Sequence, residues 1–449
     1  MINKIRKSFD LFVKSSFVKS VFSIGTGNLI AQLMSLISVP ILTRIYSNEA
    51  YGDYGIIAST ITIVVSFAAM GLSSAIMEPK DENKSRKVFK TAFIIEFLVV
   101  LAISVGAILL YPRVKLFEIN GSYYVAVLLF CIYAITISTT SILSTFVNRM
   151  GLNKVLLVNP IITSACNFVI AIPLGMLGVG YKGFLISYII GNSIGNLQMI
   201  IRSKPYLGKY RKKDFFNVIK EYKEYIYYQC PANLLANLGT QFPVQYLSRQ
   251  FGSVQLSHYT VSNNLLNYPI RLIAGPIGTV YFRKASENVR ENKDISKFTF
   301  RLVVGAMLIA FIPMLLFSLI GEQVIGFILG ENWAQTGRVM SIVIIQYVLL
   351  FCSRCTSYCK VSLGKQRMNF IFGIVGIVVT VLFSVLGYKM SDGNIMMTIV
   401  ACTAARCTIN IFDVALNFYC LKKYLLKYLL FAIPYTILFL GIIVFKLFG

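Results

Sequence analysis

Acidic residues are scarce in this chain, histidine and tryptophan nearly absent, and long polar stretches missing. Eighteen Asp and Glu stand against 43 Lys and Arg, with one His and one Trp among 449 residues. A single histidine, His258, cannot assemble a multi-histidine metal centre. Nine cysteines show no paired spacing in a connecting loop, so neither a disulfide framework nor a zinc site is expected. Cys131, Cys166, Cys352, Cys402 and Cys407 lie in or beside apolar runs and read as small packing residues. Charged residues make up 14% of the chain and apolar ones 56%, whereas a soluble surface needs roughly a quarter of all residues charged. A water-soluble globule is excluded. The net charge of +25 then reads as loop charge that sets topology and touches anionic lipid, not as a nucleic-acid footprint.

Apolar stretches fill the chain instead. A spanning helix takes about 20 mostly apolar residues, and such segments lie near 20–44, 52–78, 91–111, 122–144, 156–176, 183–201, 225–248, 257–282, 302–321, 339–359, 369–388, 395–420 and 428–446. The longest connection, 202–224, is polar and basic, too short for a separate domain. Alternate loops differ sharply in Lys and Arg: 32 fall on the side of the N-terminus and eight on the other. This bias puts the Lys-rich start (Lys4, Arg6, Lys7) in the cytoplasm as a retained tail. Three arginines, Arg271, Arg354 and Arg406, are left inside the apolar spans.

The chain also matches itself. At an offset of 205 residues, Asn28-Leu29-Ile30-Ala31-Gln32-Leu33 lies over Asn233-Leu234-Leu235-Ala236-Asn237-Leu238, Arg44 over Arg249, and Tyr54 over Tyr259. Six segments separate the copies, an even number, so both halves enter the membrane from the same side. An axis along the membrane normal relates them, an arrangement transporters use with the substrate path at the interface of the halves. The expected organisation is 1–224 (helices 1 to 6), 225–420 (helices 7 to 12) and 421–449 as an additional helix.

Polar side chains at membrane depth face a bundle interior or a wet cavity. Thr403, Arg406, Asn410, Asp413 and Asn417 recur at helical spacing on one face. Gln229, Asn233, Asn237, Gln241 and Gln245 form a slowly drifting row, and Asn264, Asn267, Arg271, Asn28, Gln32, Asn159, Thr163 and Asn167 extend the set. Any single amide reads first as interhelical glue. The arginines need an anion or water: against three of them stand Asp413 and Glu96 as intramembrane acids, which leaves an anion site open for a phosphate, the alternative being internal salt bridges or snorkelling to the interface. Glu96 either carries a coupling proton or neutralises an arginine. His258, beside Tyr259, is expected at a helix mouth, and Pro40 and Pro243 are hinge candidates.

Several stretches resemble a known family. Gly27-Asn28 through Gln32, Pro40-Ile41-Leu42-Thr43-Arg44-Ile45-Tyr46-Ser47 and Tyr51-Gly52-Asp53-Tyr54-Gly55 are similar to the opening of Wzx-type O-antigen flippases, polysaccharide-biosynthesis exporters of the multidrug/oligosaccharidyl-lipid/polysaccharide superfamily. Pro231 to Ser286, with Tyr259, Asn267-Tyr268-Pro269 and Gly275-Pro276, resembles that family's central block, and Gly330-Glu331-Asn332-Trp333 its outer-loop element. The resemblance implies an all-α polytopic fold of two six-helix lobes, to which the thirteenth segment would be an addition. It implies a non-enzymatic flippase of the bacterial inner membrane, without cofactor. The cargo would be an undecaprenyl-pyrophosphate-linked oligosaccharide, and a polysaccharide polymerase and chain-length regulator would be partners. In this scheme Arg271, Arg354 and Arg406 hold the pyrophosphate. Asn28, Gln32, Asn233, Asn237, Asn267 and Asn410 contact sugar hydroxyls, and Glu96 and Asp413 are the coupling candidates. The alternatives are a cation-coupled drug exporter, which wants an acidic and aromatic cavity, and a membrane polymerase, which wants a large outer loop with catalytic residues.

Overall fold

The computed structural model describes residues 16–449 except 80, 112, 114, 116, 118, 120, 207, 209, 291–293, 358, 363–367 and 449. The basic tail and Lys80, Lys209, Lys293, Lys365 and Arg367 of the basic loops lie outside the described residues. The described residues are helical, with no strand among them. Helices α1 (Ser16–Ile45), α2 (Asn48–Ala68), α3 (Glu82–Leu109), α4 (Tyr123–Arg149), α5 (Asn153–Met176) and α6 (Tyr181–Ser203) precede a short surface helix, α7 (Lys212–Glu221). Then come α8 (Cys230–Arg290), α9 (Ser296–Leu329), α10 (Ala334–Thr356), α11 (Met368–Met390), α12 (Ile395–Leu421) and α13 (Leu425–Phe448).

Eleven of these contain a stretch long and apolar enough to cross a membrane, α13 included. Helix α8, rich in amides, has 61 residues; at 1.5 Å per residue it would run about 90 Å, about three times the hydrocarbon thickness. Gly252, with φ 77° and ψ 175°, breaks it into two legs, and glycine alone takes such a φ without strain. The legs match the seventh and eighth predicted segments. Gly252 also stands 205 residues after Ser47, where α1 and α2 part, so the break recurs at the same point of the repeat.

Two compact units emerge. The first holds α1, α2 from Ile61 onward, α3 to α7 and the chain up to Leu234; the second holds Tyr46–Thr60 and the chain from Leu235, α13 included. The expected division at 224 therefore shifts, and a segment of the first hairpin joins the second unit. Close packing explains the shift. A Cβ on Gly52 would lie 1.8 Å from the Ser253 carbonyl oxygen, and one on Gly55 2.6 Å from Thr260 Oγ1, so these small residues let α2 meet the second leg of α8 backbone to backbone. Gln245 Nε2 donates to Ser59 Oγ at 2.6 Å, Thr60 Oγ1 at 2.9 Å and the Ile56 carbonyl at 3.3 Å. Trp333, 2% exposed, takes Tyr51 edge-on at 5.0 Å and His258 at 5.8 Å.

The first unit packs by the same means. Gly27 of α1 lies against the Leu157 backbone of α5, and Gly191 and Gly195 of α6 against Thr163 and Asn159. Phe89 stacks on Phe146 at 4.3 Å in a core shared by α3, α4 and α6. Replacing Gly52 by Ala should cost on the order of 2 kcal/mol through overpacking. Gly106→Ala, where a Cβ meets nothing within 4 Å, should be neutral. Thermal unfolding of the two purified variants, followed by size-exclusion chromatography after heating, checks the contrast.

Candidate functional site

Three helices of the second unit bring the predicted arginines into one neighbourhood. On the second leg of α8, Tyr259, Asn263, Asn267 and Arg271 follow one another at intervals of four; on α10, Tyr347 and Arg354 are seven apart; α12 supplies Arg406. The Tyr347 hydroxyl donates to Asn263 Oδ1 at 2.8 Å and accepts from Asn267 Nδ2 at 3.2 Å. Asn267 also donates to the Asn263 carbonyl at 3.0 Å, and Gln346 Nε2 reaches Asn263 Oδ1 at 3.5 Å. Tyr259 completes the network through hydrogen bonds to Asn263 and Gln346. Both phenols are buried, Tyr259 at 3% and Tyr347 at 8% exposure.

The guanidinium groups lie within electrostatic reach of one another and of this network. Arg406 interacts electrostatically with Tyr259, Tyr347 and Arg354, and the Tyr347 hydroxyl also feels Arg271. Among the described residues, none of the three arginines forms an ion pair. Arg271 and Arg354 are exposed and Arg406 half-buried, all in or beside apolar helices. A cation in such a setting needs an anion or water, and guanidinium suits phosphate oxygens, which it can bind through two parallel hydrogen bonds.

Asp413 does not serve the arginines. Lys360, counted from sequence as a loop charge, is 2% exposed and pairs with Asp413 Oδ1 at 2.5 Å, while Ser353 Oγ donates to Oδ2 at 2.5 Å. The lysine stands on a short helix after α10, Cys359–Ser362, and shares Asp413 with Ser353 of α10. Asn410 and Asn417 are also engaged: Asn410 Nδ2 donates to the Gln346 carbonyl at 3.2 Å, and Asn417 Nδ2 to Thr356 Oγ1 at 3.0 Å. Below Arg406 the polar face of α12 is thus interhelical glue against α10. Asn410, 5% exposed, is withdrawn from direct contact with a sugar.

The remaining predicted residues are dispersed. Asn28 is exposed on α1, and Gln32 keeps a buried Oε1 with no hydrogen bond among the described residues. Gln229 donates to Asn233 Oδ1 at 2.9 Å, and the Asn237 carbonyl accepts from Thr240. Asn167 accepts from Ser187 at 2.6 Å, so this amide ties α5 to α6. Glu96 on α3, 1% exposed, accepts from Thr139 at 3.3 Å and also bonds Ser138; its Oε2 has no hydrogen-bond partner among the described residues, and no cation pairs with it there. It does not neutralise an arginine. Two expectations change outright. His258 is buried, its Nδ1 2.8 Å from Thr336 Oγ1, rather than standing at a wet mouth. Asp53, 2% exposed in α2, adds a buried acid beside the two predicted from sequence. Sequence reading missed Asn263, Gln346, Tyr347 and Lys360. The four-residue interval from Tyr259 to Arg271 and the seven-residue interval from Tyr347 to Arg354 were the available signals for the first and third. A cavity of about 230 Å³ lies elsewhere in this unit, lined by Ser318, Glu322, Arg338, Ser341, Ile443 and Lys446; none of the predicted site residues borders it.

Comparison with known proteins sharpens the picture. Residues 41–338 match the family model described as polysaccharide biosynthesis protein. The chain is 20% identical over 371 residues to the succinoglycan biosynthesis transport protein ExoT of Rhizobium meliloti (strain 1021), covering 81% of this chain and 72% of that one. Its fold is similar to that of the lipid II flippase MurJ in an inward closed conformation, with TM-score 0.69 and 14% identity over 95% of this chain and 99% of the other. An inward-facing multidrug resistance MATE family transporter of the MOP superfamily is also similar, with TM-score 0.66 and 14% identity over 90% and 96% of the two chains.

The buried pair allows a stability test. Lys360→Met alone strands Asp413 and should destabilise the protein by about 3–5 kcal/mol, whereas the double variant Lys360→Met/Asp413→Leu should recover most of that loss. A double-mutant cycle of thermal unfolding in detergent measures both.

Proposed function

Because the chain belongs to the polysaccharide biosynthesis protein family, we propose that it is a flippase moving an undecaprenyl-pyrophosphate-linked oligosaccharide, such as an O-antigen repeat unit, across the bacterial inner membrane by alternating access. The observation that carries this reading is the cluster of three arginines at membrane depth whose one nearby carboxylate on α12 is already taken by Lys360. A diphosphate supplies the negative charge the cluster calls for. The Lys and Arg excess on alternate loops supports a cytoplasmic N-terminus.

In this reading Arg271, Arg354 and Arg406 hold the pyrophosphate. The Tyr347–Asn263–Asn267 network orients the helices that carry them, and Asn267 with Asn28, Gln32, Asn233 and Asn237 offers amides to sugar hydroxyls. These amides replace water that each hydroxyl would otherwise lose at a cost of several kcal/mol. The polyprenyl tail stays in lipid. No bond is made or broken, so the protein acts as a carrier rather than a catalyst, and a polymerase with its chain-length regulator takes the product on the far side. The cationic character of the site argues against cationic drugs as cargo. Glu96 is the first coupling candidate, since it can gain and lose a proton without breaking an ion pair; for Asp413 the same step would release Lys360.

Removing one guanidinium forfeits charge-assisted hydrogen bonds worth about 1.5–3 kcal/mol, a roughly ten- to hundredfold loss of affinity. Arg271→Ala, Arg354→Ala and Arg406→Ala are therefore expected to depress translocation of a defined pyrophosphate-linked oligosaccharide in proteoliposomes; wild-type rates in all three, at equal protein incorporation, would remove the anion site. Glu96→Gln is expected to retain translocation down a substrate gradient and to lose its acceleration by an imposed pH gradient. An undiminished response would transfer the coupling role away from Glu96.

A further inference from the structure

The surface helix α7 plays no part in the transport reading, yet its chemistry is specific. Phe215, Val218 and Ile219 turn toward the first unit's core, beside Val88, Phe89 and Ala92. Both of its carboxylates turn onto α3 as well: Asp214 pairs with Lys87 at 2.8 Å, and Glu221 pairs with Lys84. The Lys87 hydrogen bond, aided by the Arg211 backbone amide, holds the Asp214 carboxyl below its usual range. The chain entering α7 is fastened to α3 too, by Lys90 Nζ to the Gly208 carbonyl at 2.8 Å and by Tyr210 to Thr91 at 2.9 Å. At about 100° per residue, Lys212, Phe216, Lys220 and Lys213 share the opposite face. All four are exposed, and Phe216 is 71% bare.

A phenyl ring framed by three lysines, with the helix's own acids turned inward, is a poor surface to present to water and a good one for a headgroup layer. The docking contacts set α7 against the first two turns of α3, where that helix begins its crossing. Tyr227 and Tyr228, each 69% exposed just beyond α7, are residue types enriched at membrane interfaces. We propose that α7 is an anionic-phospholipid binding surface: Phe216 enters the upper acyl region while Lys212, Lys213 and Lys220 engage headgroup phosphates. The inference is independent of which cargo the protein moves.

The chain's single tryptophan, Trp333, is buried, so Phe216→Trp reports locally once the wild-type signal is subtracted. In vesicles of phosphatidylcholine mixed with phosphatidylglycerol brominated in its acyl chains, the added emission should be quenched, and more strongly than when the bromine is carried by phosphatidylcholine. Each of Lys212→Gln, Lys213→Gln and Lys220→Gln should reduce that preference, by up to roughly fivefold per lysine. Emission quenched by aqueous iodide and indifferent to bromolipid would overturn the proposal, and would leave the face free for an acidic protein. Should Phe216→Trp fail to accumulate, mass spectrometry of lipid co-purified with the triple Gln variant decides: lost phosphatidylglycerol supports the proposal, and wild-type retention overturns it.

Discussion

The cost of an unneutralised charge in hydrocarbon governs this molecule. A charged side chain at the centre of a bilayer costs at least about 2.5–3.5 kcal/mol, so each ionised group in the spans must find a partner, water or a ligand. The Lys360–Asp413 pair shows the rule applied internally: both charges are held by α12 and the turn after α10, and Ser353 occupies the second carboxylate oxygen. Because that pair closes on itself, none of Arg271, Arg354 and Arg406 has an ion-pair partner among the described residues. That imbalance is what supports the proposed anion site.

The amides divide along the same line. Those between neighbouring helices, such as Asn167 with Ser187 or Asn417 with Thr356, are consumed in packing, each adding well under about 2 kcal/mol. Those that remain accessible, such as Asn28, can serve a polar cargo. Glu96 belongs to neither class. Thr139 on α4 solvates one oxygen, and the other has no hydrogen-bond partner among the described residues.

Much of this was legible from residues alone. Hydropathy and loop charge located the spans, and the separate seventh and eighth segments, 225–248 and 257–282, flank the break now seen at Gly252. The three arginines stood out because Asp413 is the one acid that shares a span with any of them, and the structure brings them within electrostatic reach of one network. The helical period of Thr403 to Asn417 was also correct as a face. What periodicity could not reveal is what that face meets. A face looking at a cavity and one looking at α10 have identical sequence signatures, so Asn410 and Asn417 read as lining when they are glue. Lys360 was misplaced for a similar reason: a lysine at the end of a hydrophobic run looks like a loop charge until its partner Asp413 is seen beside it. Asn263 lay hidden beside Asn264, since one residue of phase decides which amide bonds Tyr347.

The passage of Tyr46–Thr60 into the second unit has an evolutionary reading. Were the repeat a simple fusion of two self-sufficient copies, cutting the gene between them would return two independent modules. Here the later module would lose the stretch that seats Tyr51 against Trp333 and Gly52 against Ser253, while the earlier one would keep a helix whose first half had lost its bed. A cut at the repeat boundary would therefore divide packed surfaces rather than release two finished bodies.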